Sequence, residues 1–304
     1  MEEASLSSPE TRYAVVTGGN KGIGLEICRQ LASHGVFVIL TARDDKRGTE
    51  AVENLKKSGV SNVIYHQLDV TDAASIGSLA NFIHTQLKKL DILVNNAGIS
   101  GVEIDQGAIK NLPYGAGTAD GQNPDLLNRI LKQTYRRGED CIKTNYYGTK
   151  EVTEALLPFL QLSNSANVVN VSSQYGQLKH IPNEKVKMEL NNVESLTEER
   201  LDELLQCFLN DLREDKLESN GWPVTVSAYK VSKVAVNAYT RMIAYKYPNM
   251  RINCVHPGYV KTDISFNRGI LSPEEGAKGP VKLALCGNDG HSGQYFDQTN
   301  RSAF

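Results

Sequence analysis

The sequence contains no long apolar run and no excess of charge of one sign. No stretch approaches the ~20 apolar residues that a membrane-spanning helix needs, so no membrane association is expected. The 33 basic and 35 acidic side chains are interspersed and leave a net charge of −2. Because no basic run is present, nucleic acid is disfavoured as a partner. The composition is otherwise ordinary for a globular protein.

Cysteine and histidine patterns typical of disulfide or metal frameworks are also missing. The five cysteines, an odd number, are scattered along the chain. They are Cys28, Cys141, Cys207, Cys254 and Cys286. This spacing favours free thiols in a reducing cytosol, and we predict a cytoplasmic protein without a catalytic metal. Residues 1–12 are polar and lack the apolar core of a signal peptide, so residues 1–11 are predicted to be a disordered tail.

Short β-rich segments alternate with segments of helical periodicity through most of the chain. This alternation predicts βαβ units and a doubly wound, Rossmann-type α/β domain over residues 12–304. The predicted strands are 13–17, 36–40, 62–67, 92–94, 167–171 and 251–255. The predicted helices are 24–34, 51–57, 74–87, 141–159 and 228–245.

Two segments interrupt this alternation. Residues 100–139 are rich in Gly, Asp and Asn, with a short helix predicted at 126–135. Residues 177–225 are highly charged, with an amphipathic helix predicted at 197–217. Long insertions in compact domains are commonly functional lids, so we expect both to cover the site.

A glycine-rich turn separates the first predicted strand from the first helix. It reads Gly18-Gly19-Asn20-Lys21-Gly22-Ile23-Gly24. Glycines there permit a tight turn and let a pyrophosphate approach the helix N-terminus, where free N–H groups favour anions. The turn therefore predicts a dinucleotide site, with a plain strand–helix connection as the alternative. The predicted contacts are Gly18, Asn20, Lys21, Gly22, Ile23 and Gly24.

The end of the second strand distinguishes between dinucleotides. An NAD enzyme usually has an acid there to bind the ribose 2′-hydroxyl, whereas this chain has Arg43. A guanidinium suits a phosphate, and Arg47 and Lys21 could add to it, which favours NADP(H). The alternative is that Arg43 pairs with Asp44 or the following aspartate. Asp69, at the tip of the third strand, is placed to touch the adenine or to neighbour a helix cap.

Tyr229 and Lys233 are the candidate chemical pair. Residues at i and i+4 share a helix face, and a nearby ammonium lowers a phenol pKa from ~10 toward the working pH. Tyr229 would then be a proton donor or acceptor. Such a pair is common by itself and gains weight from the glycine turn, an Asn-Asn-Ala-Gly run and a Val-Ser-Ser segment. Tyr175 and Tyr259 could line a substrate cavity.

Together these motifs resemble the short-chain dehydrogenase/reductase family over nearly the whole chain. The matching residues are Gly18, Gly22, Gly24, Asn95-Asn96-Ala97-Gly98, Asn145, Ser173, Tyr229, Lys233 and Pro257-Gly258. The chain is most similar to the plant branch with salutaridine and menthone/neomenthol reductases, and in layout to monomeric carbonyl reductases. The resemblance implies one domain of about seven parallel strands.

The resemblance also implies roles for individual residues. Asp69, Val70 and Asn96 would line the adenosine, Val260 and Thr262 would meet the nicotinamide carboxamide, and Arg43 and Arg47 would hold the 2′-phosphate. In catalysis Ser173, or alternatively Ser172, would donate a hydrogen bond, and Tyr229 would donate the proton. Lys233 would hold the ribose, and Asn145 would hold a water in a proton relay.

The predicted function is NADPH-dependent, reversible reduction of a small-molecule ketone. The first choice is a monoterpenoid ketone such as menthone, and the second is an alkaloid ketone such as salutaridine. A broad aldehyde/ketone detoxifying reductase and a catalytically idle NADPH-binding regulator are the alternatives. A relative that reduces a carbon–carbon double bond has Glu at the tyrosine position, so Tyr229 favours carbonyl reduction. The long segment 174–228 implies a monomer, because in related reductases it covers the helix face used for dimerisation.

Overall fold

The computed structural model describes residues 11–104, 131–288 and 290–304. The strands are β1 Tyr13–Val16, β2 Phe37–Ala42, β3 Val63–Gln67, β4 Ile92–Asn95, β5 Glu103–Ile104, β6 Leu131–Lys132, β7 Asn167–Val171, β8 Arg251–His256, β9 Tyr295–Asp297 and β10 Asn300–Ser302. The α-helices are α1 Gly22–Ser33, α2 Asp45–Lys57, α3 Ala73–Phe82, α4 Tyr135–Ile142, α5 Gly148–Leu160, α6 Glu184–Asn191, α7 Glu198–Arg213, α8 Ser227–Lys246 and α9 Pro273–Ala284.

The main sheet has eight strands in the order β10-β9-β8-β7-β4-β1-β2-β3. Every neighbouring pair is parallel except β9 and β10. The prediction of a doubly wound sheet of about seven parallel strands is confirmed, with one antiparallel strand added. β1 pairs with β2 on one side and β4 on the other, so the chain reverses direction across the sheet at β1. Ligands of such folds bind outside the carboxyl ends of the strands at this point.

The strands are apolar because helices cover both faces of the sheet. All residues of β1 and β7 are buried, as parallel strands between two helical layers require. One core packs α3, α5, α6, α7 and α8 against the sheet. The other packs α1, α2 and α9 against the opposite face.

Helix starts follow local capping chemistry. Asp44 accepts a hydrogen bond from Arg47 N–H at the start of α2, and Asp72 accepts one from Ala74 N–H at the start of α3. Ser272 and Glu275 form a reciprocal capping box at α9. Such caps satisfy backbone donors that have no partner inside the helix.

The segment 177–225 folds onto α8. The predicted helix 197–217 is α7, which begins after the cap residue Thr197. Phe208 and its apolar neighbours on α7 share one core with Val231 and Val234 of α8. The short helix α6 was not predicted. This insertion is therefore part of the domain core.

The segment 100–139 is described only at its two ends. β5 and β6 form a separate two-stranded antiparallel ribbon. The predicted helix 126–135 is wrong where it can be checked, because Leu131–Lys132 is a strand and the helix begins at Tyr135. Residues 126–130, and residues 1–10 of the predicted tail 1–11, lie outside the described residues. No helix within the described ranges is long and apolar enough to cross a membrane.

Candidate active site

The glycine turn lies between β1 and α1 at the carboxyl edge of the sheet. Gly18 and Gly22 have φ values of +63° and +55°, where a Cβ would introduce strain. A Cβ on Gly24 would lie 2.4 Å from both the Gly18 carbonyl oxygen and Asn96 Nδ2.

Lys21, the N-cap of α1, makes no side-chain cap bond. The first amides of α1 therefore have no capping side chain and suit an anionic ligand. Asn20 belongs to the same turn, and Ile23 packs against the core beneath it.

Asn96 supports this turn from the neighbouring strand. Its Nδ2 donates to the carbonyl oxygens of Thr17 at 2.9 Å and Gly18 at 3.2 Å. Its backbone N–H donates to the Thr17 hydroxyl at 2.9 Å. The Asn96 amide nitrogen is thus committed to holding the shape of the glycine turn.

Arg43 and Arg47 are exposed beside the end of β2. Asp44 caps α2, and Asp45 accepts a hydrogen bond from the Tyr65 hydroxyl at 3.0 Å. Across the described ranges, neither arginine side chain forms an ion pair with a carboxylate. The alternative in which Arg43 pairs with a neighbouring aspartate is therefore not what the structure shows. Both guanidinium groups remain available to an anion.

Asp69 follows β3 at the same edge of the sheet. Its Oδ1 accepts from the Thr71 backbone N–H at 2.9 Å and hydroxyl at 2.8 Å. Asp72, and not Asp69, caps α3. Val70 is buried, and a Cβ on Gly148 would lie 2.7 Å from its Cγ2. Asp69 and Val70 thus form a tight turn against α5.

The loop after β8 faces the glycine turn. A Cβ on Gly22 would lie 3.2 Å from Thr262 Cγ2, and Lys21 forms an exposed ion pair with Asp263. Thr262 Oγ1 is buried and has no hydrogen-bond partner among the described residues. Val260 is buried beside it. The two loops border one crevice, and Lys21 is paired with Asp263 rather than free for a phosphate.

Ser173 and Tyr229 meet at the next pair of elements. Ser173 follows β7, Tyr229 lies in the first turn of α8, and the two side chains lie close enough for Ser173 to affect the pKa of the Tyr229 phenol. Ser173 Oγ accepts from Tyr175 N–H at 3.2 Å. Ser172 Oγ, by contrast, is buried beside Gly176 and has no hydrogen-bond partner in the part of the chain that the structure describes. The structure therefore brings Ser173, and not Ser172, to the phenol.

Lys233 lies beneath this pair but does not act on the phenol as expected. Its Nζ is 5.7 Å from the centre of the Tyr229 ring and donates to the Val171 carbonyl oxygen at 2.8 Å. Burial lowers the pKa of Lys233 to about 8. Burial also raises the pKa of Tyr229 above its ordinary value, an effect that the neighbouring Ser173 side chain partly offsets. The expected lowering of the Tyr229 pKa by Lys233 is therefore wrong for this structure.

Asn145 occupies a π-helical turn, Lys143–Tyr147, between α4 and α5. Its Oδ1 accepts from Ile99 N–H at 2.8 Å, and its Nδ2 donates to the Ile99 carbonyl oxygen at 3.0 Å. A Cβ on Gly98 would lie 3.2 Å from Asn145 Oδ1 and 3.7 Å from Lys233 Nζ. Single π-turns inside helices are frequent at functional sites. The sequence predicted only a regular helix here.

Tyrosine–lysine spacing alone does not mark the site. Lys150 also follows Tyr146 by four residues, but both side chains bind Asp202, at 3.0 Å each. Tyr146 is fully buried. That pair is structural, whereas Tyr229 and Lys233 lie beside Ser173 at the carboxyl edge of the sheet.

The side of Tyr229 away from Lys233 is aromatic. The Tyr175 ring meets the Tyr229 ring edge-on at 6.2 Å and the His180 ring at 5.4 Å. Lys230 Nζ lies 5.4 Å from the centre of the Tyr175 ring. Tyr259 lies in the loop after β8, where its backbone carbonyl accepts two hydrogen bonds from 270–271. The sequence analysis predicted Tyr175 and Tyr259 as cavity residues but missed His180 and Lys230. Lys230 could have been found because it directly follows Tyr229 in the chain, whereas no sequence signal indicates His180.

Tyr295 is a further residue that sequence reasoning missed. It lies on β9, is buried, and donates from its hydroxyl to the Ser173 carbonyl oxygen at 3.2 Å. No local motif marks it, because the contact depends on the pairing of β8 with β9. Within the described residues, no group of three His, Cys, Asp or Glu side chains could hold a metal ion.

Comparison with known proteins identifies the family. The model described as short chain dehydrogenase matches residues 12–185, and the model described as enoyl-(acyl carrier protein) reductase matches residues 217–291. The chain belongs to the short-chain dehydrogenase/reductase family and is an oxidoreductase.

Individual relatives cover almost the whole chain. (+)-Neomenthol dehydrogenase of Arabidopsis thaliana is 51% identical, over 98% of this chain and 100% of its own. The solved structure of salutaridine reductase from Papaver somniferum is 47% identical, with a TM-score of 0.86, over 94% of this chain and 99% of its own. Carbonyl reductase [NADPH] 1 of Bos taurus is 36% identical, over 94% and 95% respectively.

Proposed function

We propose that this chain reduces a ketone by hydride transfer from NADPH and proton transfer from Tyr229. The observation that carries the proposal is the proximity of Ser173 and Lys233 to Tyr229, with Lys233 Nζ 5.7 Å from the centre of the Tyr229 ring, at the edge of the sheet that also holds the glycine turn. A protein that only sensed NADPH would need no proton donor there. The idle regulator is therefore the weaker alternative.

NADPH, when bound, supplies the hydride. Gly18, Gly22 and Gly24 give its pyrophosphate room at the start of α1, and the free guanidinium groups of Arg43 and Arg47 suit the 2′-phosphate. The buried, unpartnered Oγ1 of Thr262 offers a hydrogen bond on the opposite side of the crevice.

The adenosine end and the ribose have their own candidate contacts. Asp69 and Val70 form the turn after β3, and Asn96 shapes the crevice floor through the glycine turn. Val260, buried in the loop after β8, is our candidate contact for the nicotinamide, and Lys233 is our candidate contact for the ribose. Asn145 orders the backbone at Ile99 beside Lys233, which supports a place in the proton relay.

Charge develops on the carbonyl oxygen as hydride arrives, and donors aimed there stabilise the transition state. Ser173 donates a hydrogen bond and Tyr229 gives up its proton. The raised pKa of Tyr229 keeps the phenol protonated at neutral pH, which is the form that reduction requires. Lys233 is charged below its pKa of about 8, so its ammonium stabilises the phenolate that forms.

The substrate is proposed to be a cyclic, largely apolar ketone, a monoterpenoid ketone first and an alkaloid ketone second. The rings of Tyr175 and Tyr229 form an apolar wall, and exposed Ile264, Phe266 and Ile270 lie in the loop after β8. Identities of 51% to a neomenthol dehydrogenase and 47% to a salutaridine reductase support the same range. A broad aldehyde/ketone reductase is the second candidate, favoured by the exposure of this loop.

The test is product analysis with menthone and with a cyclic α,β-unsaturated ketone. We expect NADPH oxidation in step with alcohol formation, and an unsaturated alcohol as the product of the second substrate. A saturated ketone as the product would contradict carbonyl reduction. Equal kcat/KM for small linear aldehydes would favour the broad reductase.

We further propose a cytoplasmic monomer. The chain covers the apolar face of α8 itself, because Leu204, Leu205 and Trp222 of the insertion border Val231 and Ala235. Free thiols fit a reducing compartment. Sedimentation equilibrium should give the mass of one chain, and a stable dimer would contradict this part of the proposal.

A further inference from the structure

A second cavity, of about 770 Å³, lies away from the catalytic residues. It is lined by Asn191, Val193, Arg241, Ala244, Tyr245, Ser292, Gly293, Gln294, Tyr295, Arg301, Ser302, Ala303 and Phe304. Arg241 follows Tyr229 by about 18 Å along α8, at 1.5 Å per residue. No lining residue belongs to the glycine turn or to the Ser173, Tyr229 and Lys233 group.

The cavity combines positive charge with aromatic surface. Arg241 and Arg301 contribute two guanidinium groups, and none of the described side chains lining it is acidic. The Arg241 guanidinium lies 4.9 Å from the centre of the Phe304 ring and donates to the Asn191 carbonyl oxygen at 3.1 Å. These contacts hold the Arg241 guanidinium in place. Tyr245 is 64% exposed and offers an aromatic surface.

Two hydrogen bonds connect the cavity wall to residues 173–177, the stretch that follows β7. Tyr295 donates from its hydroxyl to the Ser173 carbonyl oxygen at 3.2 Å. Gln177 donates from Nε2 to the Ala303 carbonyl oxygen at 3.0 Å. The wall therefore contacts the stretch after β7 that positions Ser173.

We propose that this cavity binds an aromatic carboxylate, and that the bound ligand lowers turnover by competing with the Ser173 carbonyl for the Tyr295 hydroxyl. A planar carboxylate matches the guanidinium fork, and an aryl group matches Tyr245 and Phe304. The binding stands apart from the proposed function, whereas the effect on turnover rests on it.

Isothermal titration of the full chain with 2-naphthoate tests the binding. We expect saturable binding to wild type, affinity reduced about tenfold or more by Arg301→Met, and no binding of the neutral 2-naphthamide. Arg241→Met should weaken binding similarly, and exposed Arg301 provides the variant that folds if Arg241→Met does not. Tyr229→Phe should leave the affinity unchanged.

Three results would overturn the site. They are absence of binding, equal affinity in Arg301→Met, and loss of binding in Tyr229→Phe, which would place the ligand in the catalytic crevice. A concentration-dependent dimer that naphthoate dissociates would instead assign the cavity to a second copy of the chain.

Steady-state kinetics test the coupling to Ser173. In wild type, naphthoate should lower kcat without competing with the ketone. In Tyr295→Phe, naphthoate should still bind but should no longer inhibit. Competitive inhibition, or inhibition that persists in Tyr295→Phe, would refute the coupling. If the chain reduces no ketone at all, the titration still decides whether the site exists.

Discussion

Replacing Lys233 with Met removes a buried positive charge from the base of the proposed active site. Lys233 is 5% exposed, and its Nζ has one hydrogen bond, to the Val171 carbonyl oxygen at 2.8 Å. Among the described residues it has no carboxylate partner within ion-pair distance. An unpaired buried charge destabilises the folded state. We therefore expect the Lys233 ammonium to lower the free energy of unfolding of the apoprotein.

The cost follows from the pKa of Lys233, about 8 in the folded protein against 10.5 for an ordinary lysine. This difference corresponds to about 3 kcal/mol. Between pH 8 and 10.5 the unfolded chain holds more protons than the folded chain at this group, so its contribution makes stability rise with pH in that window. Below pH 8 the full cost is present.

Urea unfolding of the apoprotein at pH 7 and pH 9.5 measures this effect. At pH 7 Lys233→Met should be more stable than wild type, by up to about 3 kcal/mol less the lost hydrogen bond, and the gain should shrink at pH 9.5. Buried thiols and phenols with raised pKa, such as Cys28 and Tyr229, act in the opposite direction. The difference between the two proteins cancels them. A variant less stable than wild type at pH 7, or a gain independent of pH, would refute the reasoning.

Three further expectations concern the cofactor site and a surface carboxyl. Arg43→Gln should weaken NADPH binding about 10- to 100-fold with little effect on NADH; an equal loss for both, or the same loss in exposed Lys57→Gln, would show that Arg43 does not read the 2′-phosphate. Gly24→Ala should reduce NADPH affinity at least about tenfold, because the added Cβ falls 2.4 Å from two polar atoms, whereas Gly77→Ala meets open space and should bind normally; calorimetric titration would contradict this if both variants bound alike. Partial desolvation and the neighbouring Glu198 raise the pKa of Glu154 from 4.5 to about 7, so its contribution lowers stability as pH rises from 4.5 to about 7, and the full cost is present above that value. Glu154→Gln should therefore be more stable at pH 8, by at most about 1 kcal/mol because the group is exposed, and equal to wild type at pH 4.5, as thermal unfolding can test.

The sheet was predictable because each parallel strand is apolar and bounded by turns. The prediction 167–171 matches β7, and 251–255 falls one residue short of β8. The short strands β9 and β10 were not predicted, since three residues give no periodicity and their pairing is set by tertiary contacts. Helix α9 was also missed, although Ser272, Pro273 and Glu275 form a helix-start pattern.

At the candidate site, motifs predicted which residues lie together but not their electrostatics. The phenol, the lysine and the serine come together as the resemblance implied. The pKa of Tyr229 depends on burial and on the 5.7 Å from Lys233 Nζ to its ring, which i, i+4 spacing cannot give. The π-turn at Asn145 and the support of Ser173 by Tyr295 depend on packing between distant segments, and no local pattern encodes them.

A single-turnover measurement with Tyr229→Phe tests the central claim most directly. Enzyme saturated with NADPH is mixed with menthone, or with the best ketone found, and the decay of NADPH absorbance is followed. Because the phenyl ring preserves packing and removes only the hydroxyl group that carries the proton, we expect unchanged NADPH affinity and a rate lowered by about 10²–10⁴-fold. Tyr247→Phe, the same change at a half-buried tyrosine at the far end of α8, should react at the wild-type rate. An undiminished rate in Tyr229→Phe would contradict the assignment of the proton donor.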